Sequence, residues 1–155
     1  MTSEELQNYY ENFPAALRER LKSGALKFPQ NVEFEYEPKE AYRCVTRKNG
    51  EENVPFNLND VKSYHELGKK PKGVECDELT SFAVSFFDNI KMLERCFDFS
   101  NPKKAIAKGY VFCEGGPILV NKASHISWWL FEDVDLSGFE ITRKSEVQNE
   151  QAIMF

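Results

Sequence analysis

Three short stretches carry the residue types that could do chemistry, and they lie far apart in the chain. Tyr42-Arg43 sits among apolar neighbours early on. An arginine presents five N–H donors in a flat fork. It therefore either lies on the water-facing side of its element or points into a cleft, where it grips a phosphate or a carboxylate. Ser81 and Ser85 frame the run Ser-Phe-Ala-Val-Ser-Phe-Phe, whose alternation puts Ser81, Ala83 and Ser85 on one face and Phe82, Val84 and Phe86 on the other. A face of small polar residues holds a ligand close to the backbone, or simply meets water. In Ser124-His-Ile-Ser-Trp-Trp-Leu-Phe-Glu-Asp the same alternation groups His125, Ser127, Trp129 and Phe131 against Ile126, Trp128 and Leu130. An indole beside an imidazole and a hydroxyl suits a flat polar ligand or a partner protein. The other reading is a core tryptophan pair with a histidine satisfied by the backbone. His125 and Glu132 are the groups of this stretch able to act as acid or base.

The remaining templates do not occur. The chain has no Walker loop, no G-x-G-x-x-G, no H-E-x-x-H and no G-x-S-x-G. Its four cysteines, at 44, 76, 96 and 113, form no C-x-x-C pair and have no neighbouring histidine, so the expectation is no metal, no disulfide and reduced thiols in the cytoplasm. With 25 acidic against 20 basic residues the net charge is −5, which excludes a general nucleic-acid coat. Local clusters at Lys69, Lys70, Lys72 and at Lys103, Lys104, Lys108 read as solvated loops or as a small anion-binding face. No apolar run approaches the roughly 20 residues that cross a bilayer, so no membrane partner is expected.

The elements that must position these residues follow from periodicity. The class expected is α+β: N-terminal helices, then a mixed, mostly antiparallel sheet of short strands with two further short helices. Thr2 with Glu5 reads as a capping box for a helix carrying Leu6, Tyr9 and Tyr10, and Pro14 restarts a second helix that Gly24 ends. Val32 to Tyr36 alternates as a half-exposed strand, Ala41 to Thr46 is a second, and Asn59 caps a short helix with Val61, Tyr64 and Leu67 facing inward. Thr80 to Phe87 is a strand, Asp88 caps a helix whose stripe is Ile90, Leu93 and Phe97, and strands follow at 105–113, 117–120, 126–131 and 139–142, with Gly115-Gly116 as a hairpin turn. Aromatic residues are 14% of the chain, with thirteen phenylalanines, so large rings dominate the core. Residues 1–145 make one domain, the loop after Gly68 is its mobile part, and 146–155 is a flexible tail.

The order of these pieces resembles the arginine, serine and glutamate succession of ADP-ribosyltransferases, over roughly residues 40–142. In that family the strand arginine holds the dinucleotide phosphates, the serine strand shapes the nicotinamide pocket, and a later strand supplies the catalytic glutamate. The resemblance assigns Arg43 and Ser85 to the first two roles. It finds no glutamate at the third, where His125 to Ser127 stand and Glu132 lies at the far end.

Two functional readings follow. The first is a small non-enzymatic binding or regulatory domain acting on a protein partner through a groove near His125 and Trp129; an accessory protein of a phage or mobile element is one setting for it. The second is a nucleotide- or NAD-using enzyme with Arg43 as phosphate anchor, Tyr42, Ser81, Ser85 and Ser127 around the ligand, and His125 or Glu132 as acid or base. NAD is the cofactor only on this second reading. As groove residues, Arg43→Ala and His125→Ala are expected to leave stability within about 1 kcal/mol.

Overall fold

The chain begins as its caps dictate. Thr2 accepts a hydrogen bond from the Glu5 N–H (3.1 Å) and opens α1 (Ser3–Tyr10), and Pro14 precedes α2 (Ala15–Lys22). The computed structural model describes residues 1–69 and 77–143; most of the loop expected after Gly68, Cys76 and the tail expected at 146–155 lie outside the described residues. After the helices come β1 (Lys39–Thr46), a 3-10 turn (Leu58–Asp60), α3 (Tyr64–Leu67), α4 (Glu78–Ser81), β2 (Val84–Phe87) and α5 (Ile90–Cys96). The chain then turns to strands: β3 (Lys104–Val111), β4 (Ile118–Val120), β5 (His125–Trp128) and β6 (Glu140–Thr142). The class is α+β, with one six-stranded sheet in the order β4-β5-β2-β1-β3-β6, antiparallel throughout.

Alternation divides the sheet into two faces. One carries Ala41, Val45, Val84, Phe86, Ile126 and Trp128 and is covered by Phe56, Val61, Leu136 and Phe139. Gly109 makes that cover possible, since a Cβ there would meet the Phe139 ring at 2.6 Å. On the opposite face α5 seats Ile90 and Leu93 over Tyr42 and Ile106. A third cluster, built on Phe13, Leu17, Leu21 and Trp129, packs α1 and α2 through edge-on aromatic contacts such as Phe13 to Phe131 at 5.1 Å.

Several local expectations are corrected. Val32 to Tyr36 forms no strand of the sheet: only Glu33 pairs, in an isolated bridge with Ile118, because Val32 and Phe34 pack into the N-terminal cluster while Tyr36 packs into another. The expected strand from Thr80 begins only at Val84: Thr80 and Ser81 belong to the helix α4, opened by Asp77, which accepts from the Thr80 N–H (2.7 Å). Asn57, not Asn59, caps the 3-10 turn, Ser63 caps α3, and Asn89, not Asp88, caps α5. Gly115-Gly116 is no hairpin. It sits on the crossover that carries the chain from β3 to β4, at the far edge of the sheet. Gly116 has φ +133, and a Cβ there would lie 1.8 Å from the Trp129 carbonyl oxygen, so glycine allows a close approach of two backbones.

Candidate functional site

β1 and β2 pair at a single position, Tyr42 with Phe87, and then part. Continuing that register would set Cys44 against Ser85. Instead the Arg43 side chain fills the gap: Nη1 donates to the Ser85 carbonyl (2.8 Å) and Nε to the Asp60 carbonyl (2.7 Å). The guanidinium stands 5.8 Å from the Phe86 ring centroid. Burial pushes its pKa down from the ordinary value, as expected for a cation taken out of water, although an arginine stays charged. Two of its five N–H groups are thus used by carbonyls, and among the described residues no carboxylate pairs with it.

Arg47, four residues on, provides the contrast. Its two terminal nitrogens meet both Asp60 carboxylate oxygens (2.6 and 2.7 Å), and it also donates to the carbonyls of Thr46, Val54 and Pro55. Both side chains are under a tenth exposed. Arg47 is a fully satisfied structural group that locks residues 54–60 onto β1; Arg43 is a cation with donors to spare.

The parting of β1 and β2 opens a cleft of about 190 Å³. Arg43, Cys44 and Ser85, all partly buried, and the exposed Lys62 line it, so its charged lining is cationic alone. Its rim is apolar: Tyr64, Leu67 and Phe97 are 38%, 46% and 42% exposed. The helical spacing that suggested an inward Tyr64 and Leu67 therefore fails, because α3 is a single turn lying across the cleft and only Val61 goes into the core (3% exposed). Cys44 is a poor nucleophile, as burial raises its thiol pKa and keeps it protonated.

Ser85 links this cleft to His125. The imidazole Nε2 lies 2.9 Å from Ser85 Oγ, and Phe87 packs edge-on against the ring at 5.4 Å. The contact is the diagonal one across β2 and β5, where Ser85 faces Ser127 and Phe87 faces His125. Burial lowers the His125 pKa below its ordinary value, so the ring is neutral at pH 7. Arg43, Ser85 and His125, read from three distant stretches, thus stand side by side.

The other expected site residues go elsewhere. Tyr42 is 6% exposed, packs among Ile90, Leu93 and Ile106, and donates its hydroxyl to the Glu40 carboxylate. Ser81 belongs to α4 and donates back to the Glu78 carbonyl (2.5 Å), so it shares no strand face with Ser85. Ser127 is 7% exposed, beneath the sheet's covering layers. Trp129 is 1% exposed, with Phe28 at 5.3 Å and its indole N–H donated to the Leu79 carbonyl (2.8 Å). The groove expected beside Trp129 is therefore filled by packed rings: the chain leaves β5 at Trp128, which frees both indoles to enter separate clusters.

Glu132 lines a second cleft, of about 260 Å³, between α2 and the segment 58–66. It does not meet His125, whose ring contacts are Ser85 and Phe87, so the expected acid and base are not brought together. Sequence reasoning missed Cys44, Lys62, Tyr64, Leu67 and Phe97 at the first cleft. The signal that could have found them is a one-turn helix bounded by Ser63 and Gly68, too short to bury both of its large side chains.

Among the described residues no group of three or more His, Cys, Asp or Glu is placed to hold a metal, and no helix is long and apolar enough to cross a membrane. Cys44, Cys96 and Cys113 are free thiols. Comparison with family models, with curated proteins and with solved structures finds no match to this chain.

Proposed function

We propose that this chain is a non-enzymatic binding domain that recognises a partner protein by taking one of its anionic side chains into the cleft between β1 and β2. The observation that carries the reading is Arg43, a largely buried cation with three unused N–H groups and no carboxylate partner among the described residues. Holding a charge away from water costs several kcal/mol unless an opposite charge meets it, and an incoming carboxylate or phosphate would offset that cost. Lys62 adds a second positive charge, while the exposed Tyr64, Leu67 and Phe97 offer the apolar contact that anchors a partner around a buried ion. The volume of about 190 Å³ falls below the roughly 300 Å³ at which drug-sized pockets begin, which favours the end of a side chain over a whole dinucleotide.

The test is calorimetry with three short peptides that differ at one central residue, glutamate, phosphoserine or glutamine, flanked by leucine and phenylalanine. Binding of one or both anionic peptides, lost with glutamine and weakened about tenfold by Lys62→Glu, supports the reading, and the two anionic arms tell carboxylate from phosphate. Equal binding of the glutamine peptide, or no binding of any of the three, ends it.

The adjacency of Arg43, Ser85 and His125 favours a second reading, a nucleotide- or NAD-using enzyme whose fold is similar to that of ADP-ribosyltransferases. On that reading thermal stability rises with NAD as RT ln(1 + [L]/Kd). A flat response to NAD, ADP and ATP would remove it.

A further inference from the structure

The second cleft is the chemical opposite of the first. Its walls are apolar, with Leu17, Val61, Phe82, Leu130 and Val134 among them, and its charged lining consists of Glu66 and Glu132 with no lysine or arginine. The two carboxylates differ. Glu66 is occupied by the cap of α3, since the Ser63 N–H and hydroxyl both point at its Oε1 (3.3 and 3.2 Å). Glu132 has no side-chain partner among the described residues, yet its backbone is fixed: its N–H donates to the Asn12 carbonyl (2.8 Å) and the Phe131 N–H to the Gly115 carbonyl (2.9 Å). The anchoring holds a free carboxylate at the mouth of a preformed apolar cavity. His65 stacks on Phe82 with centroids 4.1 Å apart and completes one wall. Arg20 lies 5.2 Å over the same Phe82 ring but is ion-paired with Glu78 and does not line the cleft.

We infer that this cleft binds a small apolar amine, a single ring or short branched chain bearing a primary ammonium, with the apolar part between Leu17, Phe82 and Val134 and the ammonium at Glu132. Size supports one ring with a short chain: a cavity of roughly 150 Å³ takes benzene and drug-sized pockets start near 300 Å³, and this one is about 260 Å³. Charge supports the ammonium, because an anion would meet two carboxylates and no cation. Nothing in this assignment depends on the anion cleft.

Calorimetry of the full chain with 2-phenylethylammonium, 3-phenylpropionate and 2-phenylethanol tests it. The expected result is saturable one-to-one binding of the ammonium, with the propionate about tenfold weaker or worse. Glu132→Gln should lower ammonium affinity about threefold and leave the alcohol unchanged, as fits one exposed charge. Ala16→Phe, which puts a ring into the cleft, should block all three probes with the circular dichroism spectrum retained; if that variant fails to fold, the Glu132→Gln comparison decides alone. Equal binding of ammonium and propionate, an unchanged ammonium affinity in Glu132→Gln, or no binding of any probe overturns the inference.

Discussion

Replacing Arg43 by methionine tests whether the sheet depends on its side chain. Methionine keeps the length and the contact with Phe86 but removes both donors, so the Ser85 and Asp60 carbonyls lose their partners. Each buried carbonyl left unpaired costs about 1–3 kcal/mol. Two effects reduce the total: water entering from the open cleft can serve one carbonyl, and a desolvated charge disappears. The net expectation is a loss of about 2 kcal/mol, or about 4–8 °C in Tm for a domain of this size. This exceeds the 1 kcal/mol or so proper to a surface arginine. Urea unfolding followed by the fluorescence of Trp128 and Trp129, both within 1% of full burial, reads the midpoint directly. With a slope of about 2 kcal/mol/M the midpoint should fall by about 1 M. Arg47→Met supplies the scale, since it strands the Asp60 carboxylate and should cost about 3–5 kcal/mol. An Arg43→Met midpoint equal to or above that of the parent chain would refute the reasoning, because the parting of β1 and β2 would then not depend on the guanidinium.

Three further outcomes are expected. Because His125 has a lowered pKa in the fold, its contribution to stability is complete above its unfolded value of about 6.5 and is lost as pH falls from there through the folded value; His125→Gln should flatten the stability profile across that window in urea titrations. Trp129→Phe keeps the ring packing but leaves the Leu79 carbonyl without its 2.8 Å donor, for a loss of about 1–3 kcal/mol by the same assay. Gly116→Ala cannot be accommodated at 1.8 Å from the Trp129 carbonyl oxygen and should give no cooperative unfolding transition in calorimetry, whereas Gly138→Ala, with open space around it, should retain one.

Local signals in the sequence located four of the five helices and most strands, missing α4, but not their partners. Thr2, Pro14 and Gly68 act as written, since capping and left-handed termination involve only near neighbours. Val84 and Phe86 go inward and Ser85 opposite, as alternation requires. What stayed hidden is non-local. Whether Gly115-Gly116 turns a hairpin or a crossover depends on which strand the next one joins, and that is decided by Glu33 and β5. The site was legible in part for the same reason: Arg43, Ser85 and His125 were readable as types, yet it is the Tyr42–Phe87 pairing of β1 with β2 and the ladder of β2 with β5 that bring them together, beside the cleft that Lys62 and α3 help to line.

The eight-pair ladder between β1 and β3 also bears on how the chain is made. Its nearest paired residues, Thr46 and Lys104, are 58 positions apart. At about 5–20 residues per second, β1 emerges from a ribosome roughly 3–12 s before its main neighbour exists. Through that interval Ala41 and Val45 have no sheet to join, so the nascent chain presents an unmatched central strand. Chaperone occupancy during synthesis should peak there and fall once Val111 has cleared the exit tunnel.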